Sequence, residues 1–228
     1  MIRYIVFDTE TTGLDPIGGD RIIEIGAVEL IGTKITGKTY QQYINPEKVI
    51  GQETIDITHI TNEMVNDKPV FKDIADDFIN FLEEKVEDCE KNVLVAHNSS
   101  FDLKFLNHEL KLIGYENLSR FEVIDTLEIA RTKFPGQKAT LDMLCEKFNI
   151  SLEERRKEGH GALLDSKILA DVFLKLTSGE SNFLQMDDII DFVGIKKRSE
   201  VLTPRKFVLT DEEIEKHNKF LQENNITI

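Results

Sequence analysis

Apolar residues cluster early in the chain in three short segments, 2–8, 22–31 and 35–44. They are separated by the turn-forming Gly18-Gly19-Asp20 and the short connection Gly32-Thr33-Lys34, so each reads as a strand of a meander. Two shorter strand-like runs follow at 93–96 and 122–124. Elsewhere the period becomes helical: 71–84 after Pro69, 102–113 before Gly114, 125–134 before Pro135-Gly136, then 141–148 and 162–176. Three strands first, then strands mixed with helices, predict a three-layer α/β domain around a mixed sheet. The pattern changes after Leu176. Residues 177–182 read as a linker, 183–205 carry little signal, and Thr210-Asp211-Glu212-Glu213 is a capping box that starts a helix to about Glu223. Such a helix is marginal alone in water and is expected to pack on the domain or on a partner. The expected organisation is a domain over 1–176, a linker over 177–206 and a helical tail over 207–228.

Composition narrows this only a little. A chain of 228 residues that is 40% apolar suits one domain with a true core plus a tail. No apolar run approaches the roughly 18 residues of a membrane span, and the start of the chain has no signal-peptide layout. Cys89 and Cys145 are the only cysteines, which gives neither a disulfide framework nor zinc spacing; a cytoplasmic protein with free thiols is expected. The formal net charge of −14 argues against a protein that grips long duplex nucleic acid with a basic face. It leaves room for one that holds a strand end through metal ions.

The candidate chemistry lies where carboxylates interrupt the apolar pattern. Asp8 and Glu10 follow a buried strand two residues apart, so both point to one side. Like charges on one face need a cation between them, and a hard divalent ion suits carboxylates. Thr11-Thr12-Gly13 adds hydroxyls and a site where backbone can approach a ligand. Asp102 shares a helical stripe with Leu106, Leu110 and Ile113, and Asp165 shares one with Leu169, Val172 and Leu176. A carboxylate on a buried stripe needs a partner, although Asp102 also fits as the acidic residue that complements a helix start. His160 is five residues before Asp165, so it faces the same site only from outside the helix, and the flanking Gly159 and Gly161 suggest a mobile loop. There a histidine can act as a base near neutral pH, or simply be an exposed loop residue. His97 reads best as a satisfied core histidine, and Asn98 and Phe101 either line a nucleotide pocket or cap and pack. Together the pattern supplies four carboxylates and a histidine. Four carboxylates can neutralise two Mg²⁺ ions, the arrangement suited to in-line phosphoryl displacement.

At Asp8-Thr9-Glu10, His97…Phe101-Asp102 and His160…Asp165 the chain resembles the DnaQ-like 3′→5′ exonucleases, in the Asp-Glu-Asp-Asp branch with a catalytic histidine. The resemblance covers about residues 1–176 and implies a ribonuclease H-like fold with a five-stranded mixed sheet. The tract Asp20-Arg21-Ile22-Ile23-Glu24-Ile25-Gly26-Ala27-Val28-Glu29, the triplet Phe134-Pro135-Gly136 and residues 160–165 are similar to the proofreading members that serve bacterial DNA polymerase III. Segment 207–219 resembles the part by which those members dock on the polymerase's alpha subunit. The resemblance implies that Asp8, Glu10, Asp102 and Asp165 bind two Mg²⁺ or Mn²⁺ ions, with Asp8 bridging them, and that His160 takes the proton of the attacking water. It further implies that Thr9, Thr11, Asn98 and Phe101 hold the last nucleotide at a DNA 3′ end, and that Glu53 contacts substrate. Where such proteins often carry a histidine after that Glu, Thr58 stands here with His59 beside it, and both are candidate contacts. Residues 180–184 stand where a sliding-clamp tract belongs but lack the usual initial Gln, and 185–190 offer a weaker match; an ordinary linker fits both segments at least as well. Two other readings remain: a stand-alone exonuclease on RNA or single-strand 3′ ends, which would not need 207–219, and a structural subunit that stabilises a polymerase.

Overall fold

A computed structural model describes residues 1–178. The expected linker beyond that point, the candidate clamp tracts at 180–184 and 185–190, and the expected tail with its candidate docking segment 207–219 lie outside the described residues. Five strands form one sheet: β1 (Ile2–Thr11), β2 (Ile22–Ile31), β3 (Lys34–Tyr43), β4 (Lys91–Ala96) and β5 (Glu122–Asp125), in the order β3-β2-β1-β4-β5. The β1–β2 and β2–β3 pairs are antiparallel, while β1–β4 and β4–β5 are parallel. This is the mixed sheet expected, with β1 at its centre. The helices are α1 (Gln52–Thr58), α2 (Asn62–Asn66), α3 (Phe71–Glu83), α4 (Ser99–Leu112), α5 (Thr126–Lys133), α6 (Leu141–Phe148), α7 (Glu153–Glu158) and α8 (Ala162–Thr177).

The alternation of β1 sorts its side chains onto two layers. Ile5 and Phe7 enter the core formed with Phe71, Phe78, Phe105, Leu106 and Leu110 of α3 and α4. Tyr4 faces the other way, its ring 5.2 Å from that of Phe173 on α8. A strand covered on both faces reads as a continuous apolar run, as residues 4–7 do, all buried. The even-numbered face leads on to Asp8 and Glu10. Helix α8 lies close against the sheet because position 26 has no side chain: a Cβ on Gly26 would stand 2.1 Å from the Leu163 nitrogen. Ser166 Oγ, also buried, bonds Gly26 O at 2.9 Å.

Most boundaries shift by one or two residues, and three of the differences bear on the site. β1 runs on to Thr11, so Glu10 is a paired strand residue opposite Glu24. α4 begins at Ser99, with Asn98 as its cap, so Asp102 lies within the first turn rather than opening the helix. Asp125 ends β5 and caps α5 with its side chain, and the helix itself starts at Thr126. The short helices α1, α2 and α7 were not expected, since five to seven residues are too few to establish a period.

Candidate active site

Four carboxylates converge at the carboxyl-terminal end of β1. Asp8 and Glu10 come from the strand; Asp102, 3% exposed, comes from α4 and Asp165, 4% exposed, from α8. Asp102 is fixed to the strand directly, because its Oδ1 accepts from the Thr9 backbone N–H at 3.0 Å and from Thr9 Oγ1 at 2.8 Å. The start of α4 is held in turn by β5. Asp125 accepts from the Asn98 and Ser99 N–H groups, both at 3.0 Å, while Asn98 takes up φ 65°, ψ 50°. Asp165 is placed by the start of α8: its N–H donates to Gly161 O at 2.8 Å, and the Ala162 N–H donates to the buried carboxylate of Glu24 at 2.9 Å. A carboxylate at a helix N-terminus satisfies an otherwise unbonded N–H and complements the helix dipole.

His160 lies outside α8, as its spacing requires. Gly159 before it has φ 83°, a left-handed value that favours glycine. The ring is half-buried, with Nδ1 3.4 Å from Asp165 Oδ2. Glu10, His160 and Asp165 each offer a ligand atom, and these atoms lie within 4.8 Å of one another.

The electrostatics match a site built around a cation. Burial, then the charges of Asp102, Glu10 and Asp165, raise the Asp8 carboxyl well above its usual range. Burial, with Asp165 and Glu24, pushes Glu10 up to about 8. Burial pushes Asp102 up to about 7, against the lowering effect of its bonds from Thr9. Groups crowded this way hold protons near neutral pH when no positive charge is supplied. The side chain that opposes them is Arg155 of α7, which lowers both Asp8 and Glu10. Its Nε is 2.7 Å from Asp165 Oδ1, and its Nη2 is 2.8 Å from Asp165 Oδ2. Hard oxygen donors in excess, with one imidazole at the edge, fit a divalent cation of the Mg²⁺ or Mn²⁺ type.

The other expected contacts lie around this cluster. Thr9 is buried and engaged with Asp102, and Thr11 is buried and donates to Gly13 O at 2.6 Å. Glu53 is exposed in the first turn of α1. Thr58 is buried, donating to Thr54 O at 2.9 Å and accepting from Ile60 N at 3.1 Å, so its hydroxyl serves the end of α1. His59 is exposed at φ 58°, and its ring lies against Gly159, where a Cβ would stand 2.6 Å from Nδ1. The His160 N–H donates to Ile57 O at 3.2 Å, so the end of α1 abuts the histidine loop at two points. Asn98 is exposed; Phe101 is half-buried, its ring 5.1 Å from that of Phe105. His97 fits the core reading: half-buried, with Nδ1 2.9 Å from Thr126 Oγ1 and its pKa lowered by burial.

Sequence reasoning gave no role to Glu24, Asp125 or Arg155. Glu24 carried the same signal that singled out Asp8, a carboxylate inside an apolar strand. Arg155 carried none, because it lies in the run Glu153-Glu154-Arg155-Arg156-Lys157-Glu158, which reads as a solvated surface.

Residues 5–173 match the family model described as Exonuclease. Over 233 residues the chain is 41% identical to "DNA polymerase III subunit epsilon" of Rickettsia prowazekii (strain Madrid E), with 96% of each chain covered. It is 37% identical over 232 residues to the protein of the same name from Buchnera aphidicola subsp. Schizaphis graminum, again with 96% of each covered. Among solved structures, exonuclease X in complex with 5′-overhanging duplex DNA is similar at 28% identity and a TM-score of 0.60, over 85% of this chain and 100% of that one. Fold, motif spacing and relatives agree: the chain belongs to the DnaQ-like exonuclease family.

Proposed function

We propose that this chain is the epsilon-type proofreading subunit of a bacterial DNA polymerase III, a 3′→5′ exonuclease that hydrolyses the 3′-terminal phosphodiester of DNA and releases 5′-mononucleotides. The observation that carries the reading is the convergence of Asp8, Glu10, Asp102 and Asp165 with His160, drawn from one strand, two helices and a glycine-flanked loop. Divalent-metal use goes with the family. We assign two ions, Mg²⁺ or Mn²⁺, to the four carboxylates; when bound they supply charge stabilisation for an in-line displacement at phosphorus. Thr9 fixes Asp102, and the start of α8 fixes Asp165. His160 receives the proton that the attacking water loses, a role suited to an imidazole next to solvent. Thr9, Thr11, Asn98 and Phe101, with Glu53 and His59 on α1 and its cap, form the candidate seat of the terminal nucleotide; Thr58 supports that seat by fixing the end of α1. Selectivity for errors needs no base reading, because a mismatched end costs less to unpair.

The likeness supports a DNA polymerase III partner in a bacterial replisome; we assign the contact to the alpha subunit through the tail at 207–228, with the sliding clamp as a further candidate contact and a cytoplasmic setting. The test has two arms. Full-length protein with Mg²⁺ and a primer carrying a 3′ mismatch should release mononucleotides, and Asp165→Ala should not; release by the variant would sink the site assignment. The full chain, but not one ending at Leu176, should capture the alpha subunit. Capture by neither would remove the polymerase reading and leave the nuclease one standing.

A further inference from the structure

Arg155 departs from the behaviour of its neighbours on α7. Arg156 and Lys157 are exposed, whereas the Arg155 side chain is only 11% exposed and runs into the acidic cluster. Its Nη2 lies 2.8 Å from Asp165 Oδ2 and 2.9 Å from His160 Nδ1, its Nε lies 2.7 Å from Asp165 Oδ1, and its Nη1 contacts Asp142 of α6. One guanidinium thus engages both oxygens of a proposed metal ligand and one nitrogen of the proposed base.

A guanidinium has five donors, no acceptor and does not lose its proton in proteins. In the contact with His160 it is therefore the donor, and Nδ1 accepts. A neutral imidazole that accepts at one nitrogen carries its proton on the other, here Nε2. In this arrangement both Asp165 oxygens face a cation that is already present, and the free lone pair of His160 is in use.

We propose that Arg155 is a latch: a built-in counter-cation that holds Asp165 and His160 in a resting arrangement and must withdraw when divalent cations load. The inference rests on the metal-site reading above. A chain that buries so many carboxylates in one place gains from a tethered positive charge whenever no ion is bound. The latch is also built to release. Arg155 Nε and Asp165 Oδ1 are within ion-pair distance but are not aligned for a hydrogen bond, so charge more than directional bonding joins them there. Gly159 and Gly161 bound the loop between the two elements. Arg155 can move with α7 while Asp165 stays with α8, whose N-terminus is secured separately by Glu24.

Two cations that compete for one carboxylate show reciprocal coupling. The test uses the full-length chain, calorimetric titration with Mn²⁺ and thermal melting in EDTA. Arg155→Gln should bind Mn²⁺ on the order of tenfold more tightly than the unsubstituted chain, yet melt at a lower temperature when metal-free. In saturating Mn²⁺ the two melting temperatures should converge. Arg155→Lys keeps the charge, loses the fork, and should fall between; it carries the test if Arg155→Gln does not fold. Arg156→Gln removes the same charge from the exposed face and should stay within about twofold of the parent, since screening weakens exposed charges. Equal or weaker Mn²⁺ binding by Arg155→Gln and Arg155→Lys would overturn the latch, as would an equal gain in Arg156→Gln. Parent protein that takes up no Mn²⁺ would remove the metal reading and the latch together, whereas uptake unchanged by substitution at 155 would remove the latch alone.

Discussion

The two ends of β1 both bury charge, and they treat it in opposite ways. Near the start of the strand Arg3 is fully buried, with Nε 2.5 Å from Glu29 Oε2 and Nη1 bonded to Phe81 O at 3.0 Å. The second Glu29 oxygen accepts from Thr36 Oγ1 at 2.8 Å. Charge there is matched within the chain: Arg3 Nη2, which has no hydrogen-bond partner, still lies 3.5 Å from Glu84 Oε2. At the other end Asp8, Glu10, Asp102 and Asp165, with Glu24 behind them, face one guanidinium among the described residues, that of Arg155. Buried charges are ordinarily paired because desolvation makes an unpaired one costly. The first end obeys that rule within the chain. The second obeys it only by holding protons or by taking cations from solution, and this deficit separates a functional cluster from a structural one on the same strand.

Substitutions at the two ends should separate activity from stability. The largest effect expected is in Asp8→Ala: nuclease activity should fall at least about a thousandfold, some 4 kcal/mol of transition-state stabilisation, while the metal-free protein melts no lower than its parent. Loss of activity together with loss of fold would erase the contrast. His160→Gln should cost about 100- to 10,000-fold in turnover, and a smaller change in a mononucleotide-release assay would remove the base role. Arg3→Met should leave activity per folded molecule close to that of the parent but lower stability by about 3–5 kcal/mol, because Glu29 is left buried without its partner. Chemical denaturation measures this, and a cost near zero would mean that Glu29 does not depend on Arg3 as its buried partner.

pH also separates the two ends of β1. Glu10 is raised to about 8 from 4.5 and Asp102 to about 7 from 3.8, so the folded protein holds protons that the unfolded chain has released. Stability contributed in this way is complete at acid pH and is lost as pH rises through 7–8. The metal-free melting temperature should therefore fall by about 5 °C or more between pH 5 and pH 8.5. Millimolar Mg²⁺ should abolish the fall, because a bound cation replaces the protons. A metal-free profile that rises over this range would contradict the crowding of the carboxylates.

How much of this was readable from the residues depends on whether a side chain breaks a pattern. Asp8, Glu10, Asp102 and Asp165 interrupt apolar periods, so both their burial and their convergence were expected. The strands were readable because β1 and β2 are buried along most of their length. The start of α4 was not, because Asn98 adopts a left-handed conformation to cap it and Ser99-Ser100 resembles a loop. Glu53, Thr58 and His59 came from resemblance alone; no period marks them, and Thr58 turns inward to bond its own helix. Arg155 was hidden by its charged neighbours, since a sequence does not reveal which of several adjacent cations turns in.

The missing side chain at Gly26 turns the spacing of the site into something that can be measured. Backbone meets backbone there, and α8 carries Asp165 only as close to Glu10 as that contact permits. Gly26→Ala inserts a spacer of about 1.5 Å, one carbon–carbon bond, at a residue that is not itself a proposed ligand but pairs across the sheet with Asp8. It should weaken Mn²⁺ binding and slow the nuclease while leaving all five chemical groups intact. The substitution is thus a ruler: it reports how much separation the four carboxylates tolerate before they stop acting as one site.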